Sequence, residues 1–220
     1  MKAFLILALA ALTLPAHAAI KPTYFDIKPV TQKMVEYQLF TNLTVASTTA
    51  VLNAYEGPTS ASALSITSGF SQPDQPRNLS ITPGATTSAV AACTVTVSGT
   101  DYLNNSISEA FAFLNNASTA TVGAKAFKTI TSIAWAASCE DGSFNANWFI
   151  GPGEKIGVKR CMDKAGHILF STIDGAKEGT APTMVVDVDE VSKNTADFNG
   201  TMDGVSDFEL FFMQNFRCVR

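Results

Sequence analysis

What most narrows the folds open to this chain is apolar alternation with a period of two residues, repeated in short runs along most of its length. Cys93-Thr94-Val95-Thr96-Val97-Ser98 turns every second side chain to the same side, the pattern of a strand with one face in a core. Asn104 and Asn105 follow with turn chemistry, because asparagine tolerates left-handed backbone. Ile107, Phe111 and Phe113 then alternate again, so the stretch predicts a hairpin over 91–113 whose apolar face needs a covering layer. Ala126 to Trp135 predicts another strand, with a phase change between Ile130 and Ile133 that a bulge would produce.

The remaining runs read as strands over 34–46, 50–56, 61–69, 144–150, 167–173, 183–191 and 207–213. The fourth of these is stopped by Gly151-Pro152-Gly153. In the run over 183–191, Met184, Val186 and Val188 face one way and Asp187 and Asp189 the other. Prolines at 73 and 76 block ladder pairing, which makes 71–77 the candidate crossing between sheets. No segment carries a sustained helical stripe. The expectation is an all-β chain: an antiparallel β-sandwich or barrel-like stack over 34–220, in one domain or two, preceded by an extended N-terminal arm.

That arm is residues 19–33, AIKPTYFDIKPVTQK, with two prolines and no clear period. Before it, Lys2 precedes an apolar run of 11 residues from Phe4 to Leu14, then Pro15 and Ala16-His17-Ala18. This is the layout of a secretory signal over 1–18 with cleavage before Ala19, and the run is too short to span a bilayer. Cleavage leaves 14 basic and 19 acidic side chains, a formal charge of −5. A chain so charged lacks the basic stripe of a nucleic-acid-binding face. With 46% apolar and only 15% charged residues it has ample core, a composition that argues against disorder.

Four cysteines, Cys93, Cys139, Cys161 and Cys218, follow the leader and suggest two disulfides with three possible connectivities. There is no CxxC pair, which argues against zinc. Cys93 also shares a strand face with Val95 and Val97, so it could serve simply as a small buried hydrophobe. The segment between Cys139 and Cys161 can fold back as a hairpin, which favours that pair as one bridge.

The residues that could carry chemistry are few. His167 alone among histidines survives cleavage of the leader, and it sits at a strand entrance with no G-x-S-x-G motif anywhere in the chain. Asp187, Asp189 and Glu190, with Asp174, Asp197, Asp203 and Asp207 nearby in sequence, could begin a paired-carboxylate or calcium site, or could be a solvated strand face. Gly151-Pro152-Gly153-Glu154-Lys155 lacks P-loop spacing. Trp135 and Trp148 are the candidate contact platform for a sugar or peptide, core packing being the alternative. The reading is therefore of no enzyme, no cofactor and no metal.

Several phrases resemble β-rich structural proteins of tailed bacteriophages and prophages. They are Gln72-Pro73-Asp74-Gln75-Pro76-Arg77-Asn78-Leu79-Ser80-Ile81-Thr82 and the strand after it; Thr94 to Asp101 with Asn104 to Glu109; Gly123 to Ile133 with Gly153 to Gly157; and Asn199-Gly200-Thr201 through Asp207-Phe208-Glu209-Leu210. Together they cover about residues 45–213. The resemblance implies a virion protein, capsid-decorating or head-associated, that acts by contact with capsid or neighbouring subunits, forms homo-oligomers and has no catalytic residues. Two features depart from that pattern, the leader and the cysteines, since virions assemble in a reducing cytoplasm. The alternative expectation is an exported periplasmic or surface-binding, adhesin-like protein. A secreted hydrolase built on Asp187 and Asp189 ranks third.

Overall fold

The computed structural model describes residues 35–58, 63–84, 90–137, 139 and 146–213. The chain divides into Met1–Lys33 and Met34–Arg220. The signal expected at 1–18, the arm at 19–33 and Cys218 all lie outside the described residues.

Within them the fold is all-β. The strands in chain order are β1 (Val35–Phe40), β2 (Leu52–Glu56), β3 (Leu64–Ile66), β4 (Arg77–Pro83), β5 (Cys93–Thr100), β6 (Ser106–Phe113), β7 (Thr121–Val122) and β8 (Thr129–Trp135). There follow β9 (Asn147–Gly157), β10 (Ile168–Ile173), β11 (Ala176–Lys177), β12 (Thr183–Val185), β13 (Thr195–Asp197) and β14 (Phe208–Met213). The only helical pieces among the described residues are single 3₁₀ turns at Ala165–His167 and Val191–Lys193.

Pairing is antiparallel throughout and builds three sheets, ordered β1-β14-β10-β11, β12-β13-β9-β4-β7 with β2 also on β9, and β3-β8-β5-β6. Two cores result. In the first, Val95, Val97, Phe111, Ile133 and Trp135 pack with Leu79, Ile81, Trp148 and Ile150, one sheet upon another. In the second, Phe40, Phe208, Leu210 and Phe212 pack with Ile156, Val158, Ala196 and Phe198. Strand β9 is the shared spine, giving Trp148 and Ile150 to one core and Ile156 to the other.

The β5–β6 hairpin forms as alternation demands, with Asn104 in left-handed backbone at its turn (φ 65°). The phase change in β8 is a bulge: Ser98 pairs with Ser132 and Gly99 with Ile130, leaving Thr131 extra. Residues 67–76 lead from β3 in one sheet to β4 in another.

Three expectations need correcting. First, Gly151-Pro152-Gly153 does not stop a strand, because β9 runs through it. Pro152 has no N–H to offer a ladder, but its carbonyl accepts from the Ser47 N–H at 3.0 Å, so the segment stays paired. The glycines are needed for approach: a Cβ on Gly151 would run into the Ser47 carbonyl, and one on Gly153 into the Asn78 amide. Second, the strand expected over 183–191 ends at Val185, because Asp187 caps a turn by accepting the N–H groups of Asp189 and Glu190 (2.9 and 2.8 Å). Third, β4 was not anticipated as a strand. Leu79 and Ile81 alternate with Asn78, Ser80 and Thr82, but the run is short and enclosed by Pro76 and Pro83, and its polar side is buried as well.

Candidate functional site

The outer face of the β1-β14-β10-β11 sheet is the feature that packing alone does not explain. Over the first five residues of β1, before the buried Phe40, the usual arrangement is reversed. Val35, Tyr37 and Leu39 are 58%, 55% and 44% exposed, whereas Gln38 on the inner side is 3% exposed. The inward polar groups are satisfied. Gln38 donates to the Gly157 carbonyl (3.1 Å) and accepts from the Lys159 N–H (2.9 Å), and Glu36 pairs with Lys159 (2.9 Å) and Arg160 (3.1 Å). Inner space is thus taken by a polar lock, and the apolar row is left in solvent.

The neighbouring strands extend that row. Cross-strand register sets Tyr37 opposite Phe211 and Phe211 opposite Phe170. The rings stack in sequence, Tyr37 to Phe211 at 5.9 Å and Phe211 to Phe170 at 4.4 Å, and the Lys177 ammonium stands 5.7 Å from the Phe170 ring. A ladder of three rings and a cation therefore crosses all four strands. Val35 and Met213 pair above it, and Leu169, in a bulge of β10, is exposed nearby. Leu39 and Glu209 pair below it. An apolar surface of this kind on an open sheet face is the candidate contact surface of this chain.

The residues singled out in the sequence go elsewhere. Trp135 and Trp148 form no platform, being 1% and 0% exposed. Trp135 stacks on Tyr55 at 5.2 Å, and Trp148 meets Phe113 edge-on at 5.0 Å, so both belong to the first core. Cys139 bonds to Cys93 rather than to Cys161, with Cα atoms 5.0 Å apart, because the chain end after β8 returns beside the start of β5. Cys161 is buried. His167 lies 3.1 Å from Asp163, close enough for an ion pair but not aligned as a hydrogen bond.

The carboxylates do not converge. Asp203 caps its own turn, Asp174 accepts from the Asp207 N–H, and Asp187 is held below the ordinary carboxylate range by the N–H groups of Asp189 and Glu190. Among the described residues no group of three or more potential metal ligands occurs. A recess of about 490 Å³ is lined by Asp101, Ile107, Val188, Asp189 and Glu190, but Asp101 is spent on Leu103 and Asn105, and Glu190 on two lysines. No helix among the described residues is long and apolar enough to cross a membrane.

Glu190 gives a pH prediction. Burial pushes its carboxyl up, but hydrogen bonds from Lys125, Lys193 and Ser192 together outweigh that and hold it at about 2, against 4.5 ordinarily. A depressed folded-state pKa contributes stability above the unfolded value that is lost as pH falls toward the folded one. Glu190→Gln should therefore be less stable than the parent at neutral pH, and the two thermal midpoints should converge between pH 4.5 and about 2. Parallel curves across that window would refute the assignment.

The face residues were missed because alternation names two sides of a strand without saying which is inside. A usable signal was present in Phe208-Glu209-Leu210-Phe211-Phe212-Met213, where both sides of β14 carry large apolar residues although only Phe208, Leu210 and Phe212 enter a core. No protein-family model matches this chain, and no curated protein or solved structure matches it.

Proposed function

We propose that this chain is a structural protein that works by protein–protein contact, without catalysis, as a capsid-decorating or head-associated component of a phage virion. The observation that carries the contact role is the reversal in β1, which spends a buried glutamine and an ion-paired glutamate inside in order to present Val35, Tyr37 and Leu39 outside. Aromatic rings bring large contact area at low entropic cost, which suits the centre of an interface. The virion assignment rests on the phrases between residues 45 and 213 that resemble phage structural proteins.

The test has two parts. Purified particles should contain the chain in stoichiometric amount, and its absence from them would reject a virion role. Replacing Tyr37 and Leu39 together by threonine keeps β propensity and should move stability by only about 0.5 kcal/mol per site. It should remove most of the chain from particles; full retention would reject this face as the contact.

One observation favours a second reading, an exported periplasmic or surface-binding protein. A bridge such as Cys93–Cys139 forms and persists most readily in an oxidising compartment, which supports this reading. A mature N-terminus at Ala19, read by mass spectrometry, would favour export, and an intact Met1 would remove it.

A further inference from the structure

We infer that the occupant of the aromatic sheet face is residues 19–33 of a neighbouring copy of this chain. The inference rests on the contact role proposed for that face and names the partner.

The segment joins the body at the face itself, since β1 begins at Val35, the top of the exposed row. Its 15 residues can span up to ~50 Å when extended. The face needs less, about 20 Å along a six-residue strand and about 14 Å across four strands. Length therefore allows full coverage.

Chemistry fits as well. Tyr24, Phe25 and Ile27 lie between Pro22 and Pro29, so the apolar residues sit in a stretch bounded by positions without N–H donors. Such a segment cannot add a long ladder strand, but it can lie across side chains, which is what an open sheet face offers. Lys21, Lys28 and Lys33 outnumber Asp26, while the foot of the face carries Glu209, with Asp207 and Asp174 joined just beyond it. Opposite charges at the rim fix orientation and speed encounter.

Direction argues for a neighbour's face over its own. To cover Tyr37 the arm would have to reverse immediately before β1, yet Val30-Thr31-Gln32-Lys33-Met34-Val35-Glu36 contains no Gly, Pro, Asn, Asp or Ser. These are the residues that tight reversals use. A segment of that composition disfavours the tight reversal its own face would need and suits reach to another copy, a head-to-tail contact that can close into a ring.

The experiment places a photoreactive benzoyl-phenylalanine at position 25 of the full chain and mixes ¹⁴N- with ¹⁵N-labelled protein. The expected products join position 25 to peptides of β1, β14 or β10, with mixed-label pairs as abundant as the two same-label classes together. Adding Tyr37→Thr and Leu39→Thr should cut their yield about tenfold, the loss that two interface aromatic or aliphatic anchors produce. Cross-links confined to one label, cross-links to another surface, or a chain that stays monomeric would each overturn the inference. If the chain links elsewhere but the double threonine variant still leaves particles, the arm is the wrong occupant and the contact role stands. If the variant also stays on particles, both fall.

Discussion

Replacing Arg77 by alanine is expected to cost about 3 kcal/mol of folding stability, the low end for removing one partner of a buried ion pair, because Asp74 remains partly exposed. Arg77 is fully buried at the start of β4, and its guanidinium holds parts of the chain far apart in sequence. It donates through Nε to the Gly153 carbonyl in β9 (2.8 Å), through Nη1 to the Thr44 carbonyl after β1 (2.7 Å), and through Nη2 to Gly153 again and to the Met202 sulfur. Asp74 balances its charge at 3.3 Å. Burial pushes Asp74 up, but the Thr44 N–H and the Arg77 charge outweigh it and keep its carboxyl below the ordinary value.

Alanine would strand the buried Gly153 carbonyl and leave the part-buried Thr44 carbonyl and the Asp74 carboxylate without their shared donor. Lysine is not a conservative replacement, since a point charge cannot reach Gly153 and Thr44 together. Arg77→Lys should still lose about 1–3 kcal/mol. Urea titration followed by tryptophan fluorescence measures both. A cost for Arg77→Ala below about 1 kcal/mol, no more than one ordinary hydrogen bond, would show that the guanidinium is not the tie described.

How far such features can be read from the chain alone depends on how local their causes are. The β5–β6 hairpin and the bulge at Thr131 are legible because alternation, asparagine turn chemistry and a phase shift all act within a few residues. Arg77 is not. As text it ends a proline-rich crossing, and only the approach of β9 and the Thr44 segment makes it a buried hub. Strand β4 escapes for a related reason: Asn78 to Thr82 alternates, but only over five residues between prolines, and the burial of its polar side is set by distant partners such as Gly123 and Lys155. In β1 the period is plain but its sense is reversed, because Gln38 and Glu36 find partners around residues 157–160, more than a hundred positions away. The tryptophans fail as a platform by the same logic, their burial being decided where two sheets meet.

The second large effect is set by redox state. The Cys93–Cys139 bridge closes a loop over a sequence separation of 46, and β5, β6, β7 and β8 run inside it. Restricting the unfolded chain over that span is worth about 4 kcal/mol on the chain-entropy account, a large share of the ~5–15 kcal/mol that holds a typical domain together. Reduction, or the double change Cys93→Ala with Cys139→Ala, should therefore lower unfolding free energy by about that amount. The loss should be read first in the first core, where Cys139, Trp135 and Trp148 all lie, so indole fluorescence reports it directly. Peptide mapping without reductant should recover Cys93 joined to Cys139. Of the three pairings four cysteines allow, only the one that also joins Cys161 to Cys218 is then compatible with two bridges. Recovery of Cys139 joined to Cys161, or a stability indifferent to dithiothreitol, would overturn this account. A chain that depends on the bridge would be marginal while reduced and firm once oxidised, so its stability would follow the redox state of its surroundings.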